Sequence, residues 1–285
     1  MRIKKRYRVL LAVLAAIVLL TAVAVVYLHG EWWYPILSSM RITPDLELAK
    51  ADTEGFVEWT LDTLLAQENV TPSNDLLLVN ASHPLPEGYV ADLIEYNGAK
   101  MHPLMRDPYI SLRDDVQAKT GVRIYVASDY RTPEEQAAIL AAEGSTTAAQ
   151  VGCSEHEAGL ALDVYAPYCD GIRFLRSPAG RMVNNVCGDY GYIIRYPNGK
   201  QDVTGIDYEP WHIRYVGQPH ARIIMEHGLT LEEYLDALEP NVWYASGAYR
   251  FARLSPDAIQ LPQGWVQCDV SPDNMGYYVV TLKLG

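Results

Sequence analysis

No charged residue falls between Val9 and Leu28, and this apolar run of about 20 residues is long enough to cross a bilayer as one helix. Beyond it the apolar positions form short patterned stretches. Residues 41–67 carry Leu46, Leu48, Phe56, Trp59, Leu61, Leu64 and Leu65 at near-helical spacing and predict a helix. Leu76-Leu77-Leu78-Val79 predicts a buried strand, followed by the turn-rich His83-Pro84-Leu85-Pro86-Glu87-Gly88. A helix is expected over 104–119, ended by Thr120-Gly121, and then a β-branched and aromatic strand over 122–127. Thr132-Pro133-Glu134-Glu135 opens the next helix, with Thr at the cap, Pro at the first position and acids in the first turn. A loop over 144–152, a strand over 160–165 and a helix over 178–187 follow. Strands over 192–196 and 211–216 and helices over 219–227 and 230–238 complete this stretch, with Thr230 and Glu233 spaced as a capping box.

From Asn241 the pattern changes to short strands over 242–244, 264–270 and 277–284, separated by turns. Mixed helices and short strands in this order predict an α+β fold rather than alternating βαβ units. The chain divides into a basic stub and apolar helix (1–28), a helical stalk or linker (29–73), a main domain (74–240) and a small β appendage (241–285).

Five basic residues, Arg2, Lys4, Lys5, Arg6 and Arg8, precede the apolar run, and Glu31, Asp45 and Glu47 follow it. This asymmetry predicts an amino terminus inside and a body outside the membrane. A cleaved signal peptide competes, since Ala22-Val23-Ala24 resembles a small-x-small site. The run continues through Val25, Val26 and Tyr27, longer than a signal's usual apolar stretch of about 7–15 residues, which favours a retained anchor. No cysteine follows the run, which argues against a lipoprotein.

The body's charge narrows its partners. Of 23 basic residues, 18 lie beyond the terminal five, against 35 acidic ones, leaving about −17. Such a surface repels nucleic acid phosphates and anionic lipid. The cysteines, Cys153, Cys169, Cys187 and Cys268, allow three full disulfide pairings in an exported protein. Cys169 and Cys187 flank a compact segment and form the expected pair, and the absence of CxxC argues against a cysteine-based metal site.

Two strings carry chemistry: Ser154-Glu155-His156-Glu157-Ala158-Gly159-Leu160-Ala161-Leu162-Asp163 and Glu209-Pro210-Trp211-His212. Together they supply two imidazoles, a carboxylate and a second carboxylate three residues before the last histidine. A catalytic zinc site needs three protein ligands, an open position and a nearby base. His156 and Asp163 converge if Gly159 bends the backbone ahead of the 160–165 strand, from which Asp163 projects opposite Leu160 and Leu162. Pro210 biases Glu209 towards an extended conformation, near His212 but off a metal bound there. Singly, each residue is more often hydrogen-bonded or exposed than a ligand, and only their joint presence supports the reading.

Ser-x-His-x-x-Gly-x-Ala-x-Asp followed by Glu-x-Trp-His resembles the VanY-type D,D-carboxypeptidases, zinc peptidases of the Hedgehog/D-Ala-D-Ala-peptidase fold. Leu77-Leu78-Val79-Asn80 with His83-Pro84-Leu85-Pro86, Ser128-Asp129-Tyr130-Arg131-Thr132 with Gln136, and Trp211 to Gly217 extend the likeness over roughly residues 74–240. The resemblance implies one zinc ion held by His156, Asp163 and His212, with Glu209 as general base. It implies that Arg131 stabilises the oxyanion or holds the substrate carboxylate, and that Ser154, Gln136 and Tyr196 contact the substrate's terminal residue. Trp211 would orient His212. Asp129 departs from the glycine common at its position and could shift Arg131.

The implied function is removal of the terminal D-Ala from peptidoglycan stem pentapeptides or lipid-linked precursor, outside the membrane. Such a reaction also lowers the target of glycopeptide antibiotics. L,D-carboxypeptidase action on tetrapeptide stems is the alternative within the same motifs. A non-catalytic zinc-stabilised cell-wall-binding module is the alternative of another class, and Glu209, dispensable for metal binding, argues against it.

Overall fold

A computed structural model describes residues 2–40, 43–51, 55–257 and 259–285. Four antiparallel strands form the sheet that matters for function, in the order Tyr125–Ser128, Ala161–Tyr165, His212–Tyr215, Tyr192–Ile194. Alternation along the strands separates two faces. Leu162, Val164 and Ile213 point into a core shared with Met105, Tyr109, Leu112 and Val116 of helix Pro103–Thr120 and Val183 of helix Pro178–Val186. Asp163 therefore faces the other way.

Local signals set the helix ends. His102 accepts a hydrogen bond from the Leu104 amide at the start of Pro103–Thr120, and Gly121, at φ 73°, ends it in the left-handed conformation. Thr132 with Glu135, and Thr230 with Glu233, close full capping boxes on helices Pro133–Glu143 and Leu231–Ala237.

The segment expected as a helix over 41–67 is mostly extended; its residues 41–42 and 52–54 lie outside the described residues. Ala49–Lys50 and Val57–Trp59 are strands, and only Leu61–Leu65 is helical, capped by Thr60. The strands pair with chain far downstream. Ala49–Lys50 and Val70–Pro72 form the two edges of a six-stranded sheet whose other members are Trp243–Ser246, Tyr249–Leu254, Tyr278–Leu284 and Trp265–Pro272. Val57–Trp59 pairs with Ile259–Leu261. Phe56, Trp59, Leu61 and Leu65 fill the core beneath this sheet. Their spacing suits a helix, but partners almost 200 residues away decide the outcome. The carboxy-terminal β unit thus includes chain from both sides of the four-stranded sheet.

Leu76 to Val79 is buried as expected but joins no regular strand. Its backbone is satisfied instead by Arg214, which donates to the Leu77 carbonyl at 3.0 Å, by Ser271 Oγ, which accepts from the Leu76 amide at 3.0 Å, and by the Asp273 carbonyl, which accepts from the Leu78 amide. Nor does the expected Cys169–Cys187 disulfide form, and all four cysteines are free thiols. Cys187 is fully buried in the main core with Cys169 packed against the same cluster, and both act there as small apolar groups. Burial pushes the Cys187 thiol up to about 12.

At the amino terminus, Tyr7–Leu28 lies within one helix of mean hydropathy 3.2, none of it buried against the rest of the protein.

Candidate active site

Asp163 is the register partner of Ser128 on one side and of His212 on the other, so sheet pairing alone brings an aspartate and an imidazole together. The third group comes from a turn. Ser154 to Gly159 folds back on itself, with the Glu157 and Ala158 amides on the Ser154 carbonyl and the Gly159 amide on that of His156. Gly159 has φ +72°, a left-handed conformation that favours glycine, and a Cβ there would also press on Leu93 Cδ2 at 2.7 Å. His156 Nδ1 lies 2.6 Å from the Asp129 carbonyl. A carbonyl can only accept, so Nδ1 carries the proton and the Nε2 lone pair faces Asp163 Oδ2 at 3.4 Å.

His212 Nδ1 approaches the same carboxylate, 3.2 Å from Oδ1. One ligand atom from each of His156, Asp163 and His212 lies within 4.8 Å of the others. Glu209 stands just outside this trio, its Oε2 3.5 Å from His212 Nδ1. It is fixed by backbone bonds: its amide donates to the Tyr196 carbonyl and its carbonyl accepts from the His212 amide, while Asn184 donates to the Pro210 carbonyl.

Arg131 reaches three groups, donating to Asp163 Oδ2 at 2.8 Å, Gln136 Oε1 at 3.2 Å and Ser128 Oγ at 3.0 Å. Asp129, where the family often has glycine, leaves Arg131 on the site: its carboxylate accepts the Lys100 amide and its carbonyl holds His156. Gln136 is fully buried and ties Arg131 to the Ala149 carbonyl, bracing the loop after helix Pro133–Glu143. Ser154 Oγ accepts the His156 amide at 3.3 Å, and the Tyr196 ring centroid lies 4.8 Å from that of His212. All eight residues read from the motifs line one cavity of about 230 Å³, with Trp211 at its wall.

The electrostatics are strongly coupled. Burial would raise the Asp163 carboxyl, but His156 and His212 outweigh it and hold it well below the usual carboxylate range. Burial lowers His156. Burial acts the same way on His212, yet Asp163, Glu155 and Glu209 overcome it and lift the imidazole to about 9. Glu209 is raised to about 8 by burial, with His212 opposing and Asp163 adding to it. Two carboxylates and two imidazoles in so little water suit a cation in their midst. Buried His156 Nε2 and Asp163 Oδ1 have no hydrogen-bond partner, a costly state that a metal ion would relieve.

Behind His212 lies a group that motif reading missed. Glu155, completely buried, accepts a hydrogen bond from Arg195 Nε at 2.6 Å through Oε1 and forms an ion pair with Arg214 Nη1 at 2.9 Å, while Oε2 sits 3.5 Å from His212 Nε2. Arg195 continues to Glu232 at 2.6 Å. Glu155 adjoins His156 in the first string and Arg214 follows His212 by two residues; nothing in their spacing marks them as partners.

Comparison with known proteins places the chain beside one family. Residues 98–218 match the family model described as VanY, D-alanyl-D-alanine carboxypeptidase. A D-alanyl-D-alanine carboxypeptidase of Enterococcus faecium is 34% identical over 205 residues, 66% of each chain. This chain therefore spans just under two thirds of that relative's length. The bifunctional D-Ala-D-Ala dipeptidase and D-Ala-D-Ala carboxypeptidase VanXYC of Enterococcus gallinarum is 35% identical over 185 residues, 59% of this chain and 97% of that protein. Among solved structures, a mutant of the vancomycin resistance D,D-pentapeptidase VanY from a VanB-type cassette, in complex with Zn(II), is 34% identical. It superposes with a TM-score of 0.52 over 56% of this chain and 98% of that one.

Proposed function

The chain belongs to the VanY family of D-alanyl-D-alanine carboxypeptidases, and from that premise we propose that it removes the C-terminal D-alanine from peptidoglycan stem pentapeptides, using one zinc ion. The observation that carries this reading is the convergence of His156, Asp163 and His212 beside the Glu209 carboxylate. Two imidazoles and one carboxylate are a catalytic zinc donor set that leaves a position open. Zinc held there supplies Lewis acidity at the scissile carbonyl and brings deprotonation of water towards neutral pH.

The protein's own groups divide the remaining work. Glu209 accepts a proton from the attacking water and delivers it to the departing amine. Raised to about 8 by burial, it returns to its carboxylate form beside a divalent cation. Arg131, always charged, stabilises the developing oxyanion or grips the terminal carboxylate of the stem peptide. Gln136 keeps that guanidinium aimed into the cavity, and Ser154 and Tyr196 contact the terminal residue from its walls.

The Tyr7–Leu28 helix acts as a single-pass anchor, with the basic amino terminus inside and the peptidase body outside, facing stem peptides and lipid-linked precursor. Trimming these precursors would lower the targets of glycopeptide antibiotics.

The test offers zinc-loaded full-length chain in detergent a pentapeptide and a tetrapeptide stem, beside Glu209→Gln. D-Alanine is expected from the pentapeptide alone, and none from the variant despite equal zinc. Release from the tetrapeptide alone would reassign the enzyme as an L,D-carboxypeptidase. Release from neither, with stoichiometric zinc, would leave a binding module.

A further inference from the structure

The membrane anchor does not lead into a free stalk. Directly after Leu28 the chain forms a second helix, Gly30–Ser39, one side of which is seated on the peptidase body. Gly30 approaches so closely that a Cβ would fall 2.0 Å from the Leu175 carbonyl oxygen. Glu31 is buried, with Oε1 2.8 Å from Arg176 Nε, and Tyr34 donates to Asn185 at 3.0 Å. Asn198 donates to the Pro35 carbonyl at 3.1 Å.

The opposite side carries a different set. At 100° per residue, Trp32, Trp33, Ile36, Leu37 and Met40 fall on one face, away from Glu31, Tyr34 and Ser38. Trp32 is 61% exposed, Ile36 55%, Leu37 56% and Met40 70%. Four large apolar side chains in one continuous exposed face exceed the scattered apolar residues normal on a protein surface. The junction with the span is also tied. Trp33 donates its indole N–H to the Val26 carbonyl, and Arg181 lies over both the Tyr27 and Trp33 rings.

We propose that helix Gly30–Ser39 lies in the membrane–water interface, its Trp32, Ile36, Leu37 and Met40 face in the headgroup and upper acyl region and its Glu31 face holding the peptidase body. The occupant follows from continuity. A helix beginning two residues after the end of a membrane span starts at the bilayer surface, and tryptophan is favoured at that depth. Because the other face is pinned at Gly30, Glu31 and Tyr34, the contact fixes how the peptidase body sits over the lipid. This inference rests on the anchor reading.

The test uses the full chain reconstituted in vesicles of phosphatidylcholine and phosphatidylglycerol, with bromine placed shallow or deep in the acyl chains. Shallow bromine is expected to quench a distinct share of the tryptophan emission, more strongly than deep bromine. Trp32→Phe with Trp33→Phe should abolish that share, and the triple variant Ile36→Ser, Leu37→Ser, Met40→Ser should reduce it at least twofold, with circular dichroism unchanged. Equal quenching in the variants and the parent would overturn the proposal. Absent quenching in a chain that resists alkaline carbonate extraction would overturn it while leaving the anchor standing. Release of the chain by carbonate without quenching would remove anchor and interface contact together.

Discussion

Glu155 Oε2 lies 3.5 Å from His212 Nε2, at the buried end of a line of charges that runs through Arg195 to Glu232. His212 turns its Nδ1 towards Asp163, so Glu155 faces the nitrogen that no metal would use. A carboxylate there favours the tautomer with the proton on Nε2 and leaves Nδ1 free to donate electrons. Two guanidiniums in turn compensate the Glu155 charge and hold it, despite burial, well below the usual carboxylate range.

Glu155→Gln is therefore expected to weaken zinc binding by about 10–100-fold, the usual cost of losing such an outer partner. Glu232→Gln removes a charge from the same Arg195 without touching His212, and should leave zinc affinity within threefold. Competition titration against a chromogenic chelator reads both, and a cobalt-substituted spectrum reports whether His212 has moved. Equal losses in the two variants would mean that the cluster only supports the fold.

Glu209→Gln keeps the shape of the side chain and the hydrogen bonds of its backbone while removing the base. A general base contributes about 10²–10⁴-fold, so kcat should fall in that range with KM and bound zinc little changed. Steady-state kinetics together with metal analysis check the split. A variant that loses zinc in parallel with activity would place Glu209 among the ligands.

Much of this site was legible because its parts lie in short strings whose local geometry is self-contained. Gly159 turns the chain after His156, and antiparallel pairing of two strands then sets Asp163 against His212. Glu155 was illegible because its partners are Arg195, just past strand Tyr192–Ile194, and Arg214, in strand His212–Tyr215, both distant in sequence. The same physics misled the reading of residues 41–67. Phe56, Trp59 and Leu61 have near-helical spacing, but strand Ile259–Leu261 pairs with Val57–Trp59 and a core built mainly from residues beyond 240 takes all three side chains, which no local pattern announces. Leu76 to Val79 shows the converse, a strand-like run whose backbone bonds go to the Arg214, Ser271 and Asn274 side chains and the Asp273 carbonyl.

His220 makes stability fall in acid. It is buried between the Tyr234 and Thr281 hydroxyls, 2.6 and 2.7 Å away, joining a peptidase helix to the β unit, and burial depresses it to about 3. Above an unfolded value of about 6.5 both states are neutral and the full stability is present. As pH falls below 6.5, the unfolded chain takes a proton that the folded one refuses, so stability drops by up to about 1.4 kcal/mol per unit towards pH 3. Denaturant unfolding at several pH values should show a shallower slope between 6 and 4 in His220→Gln than in the parent, whatever the absolute cost of the substitution. Parallel slopes would remove His220 from the acid response.

Zinc should stabilise the folded chain in a pH-dependent way, because buried atoms of the trio that would hold it lack hydrogen-bond partners. The His212 imidazole, raised to about 9 by Asp163, Glu155 and Glu209 against the opposing effect of burial, must lose its proton before Nδ1 can bind a metal. Affinity is then expected to rise about tenfold per pH unit between 8 and 9 for the His212 proton, more steeply below 8 where Glu209 also gives up its proton, and to level off above 9. At a free zinc concentration 100 times Kd the folded state gains about 2.7 kcal/mol. For a body of this size that corresponds to roughly 5–10 °C in Tm, lost again on chelation. Thermal scans with and without chelator, at pH 6.5 and 8, measure the effect. A zinc-induced shift that is equal at the two pH values would mean that His212 binds without giving up a proton, and that the charge balance around Asp163 differs from the one described above.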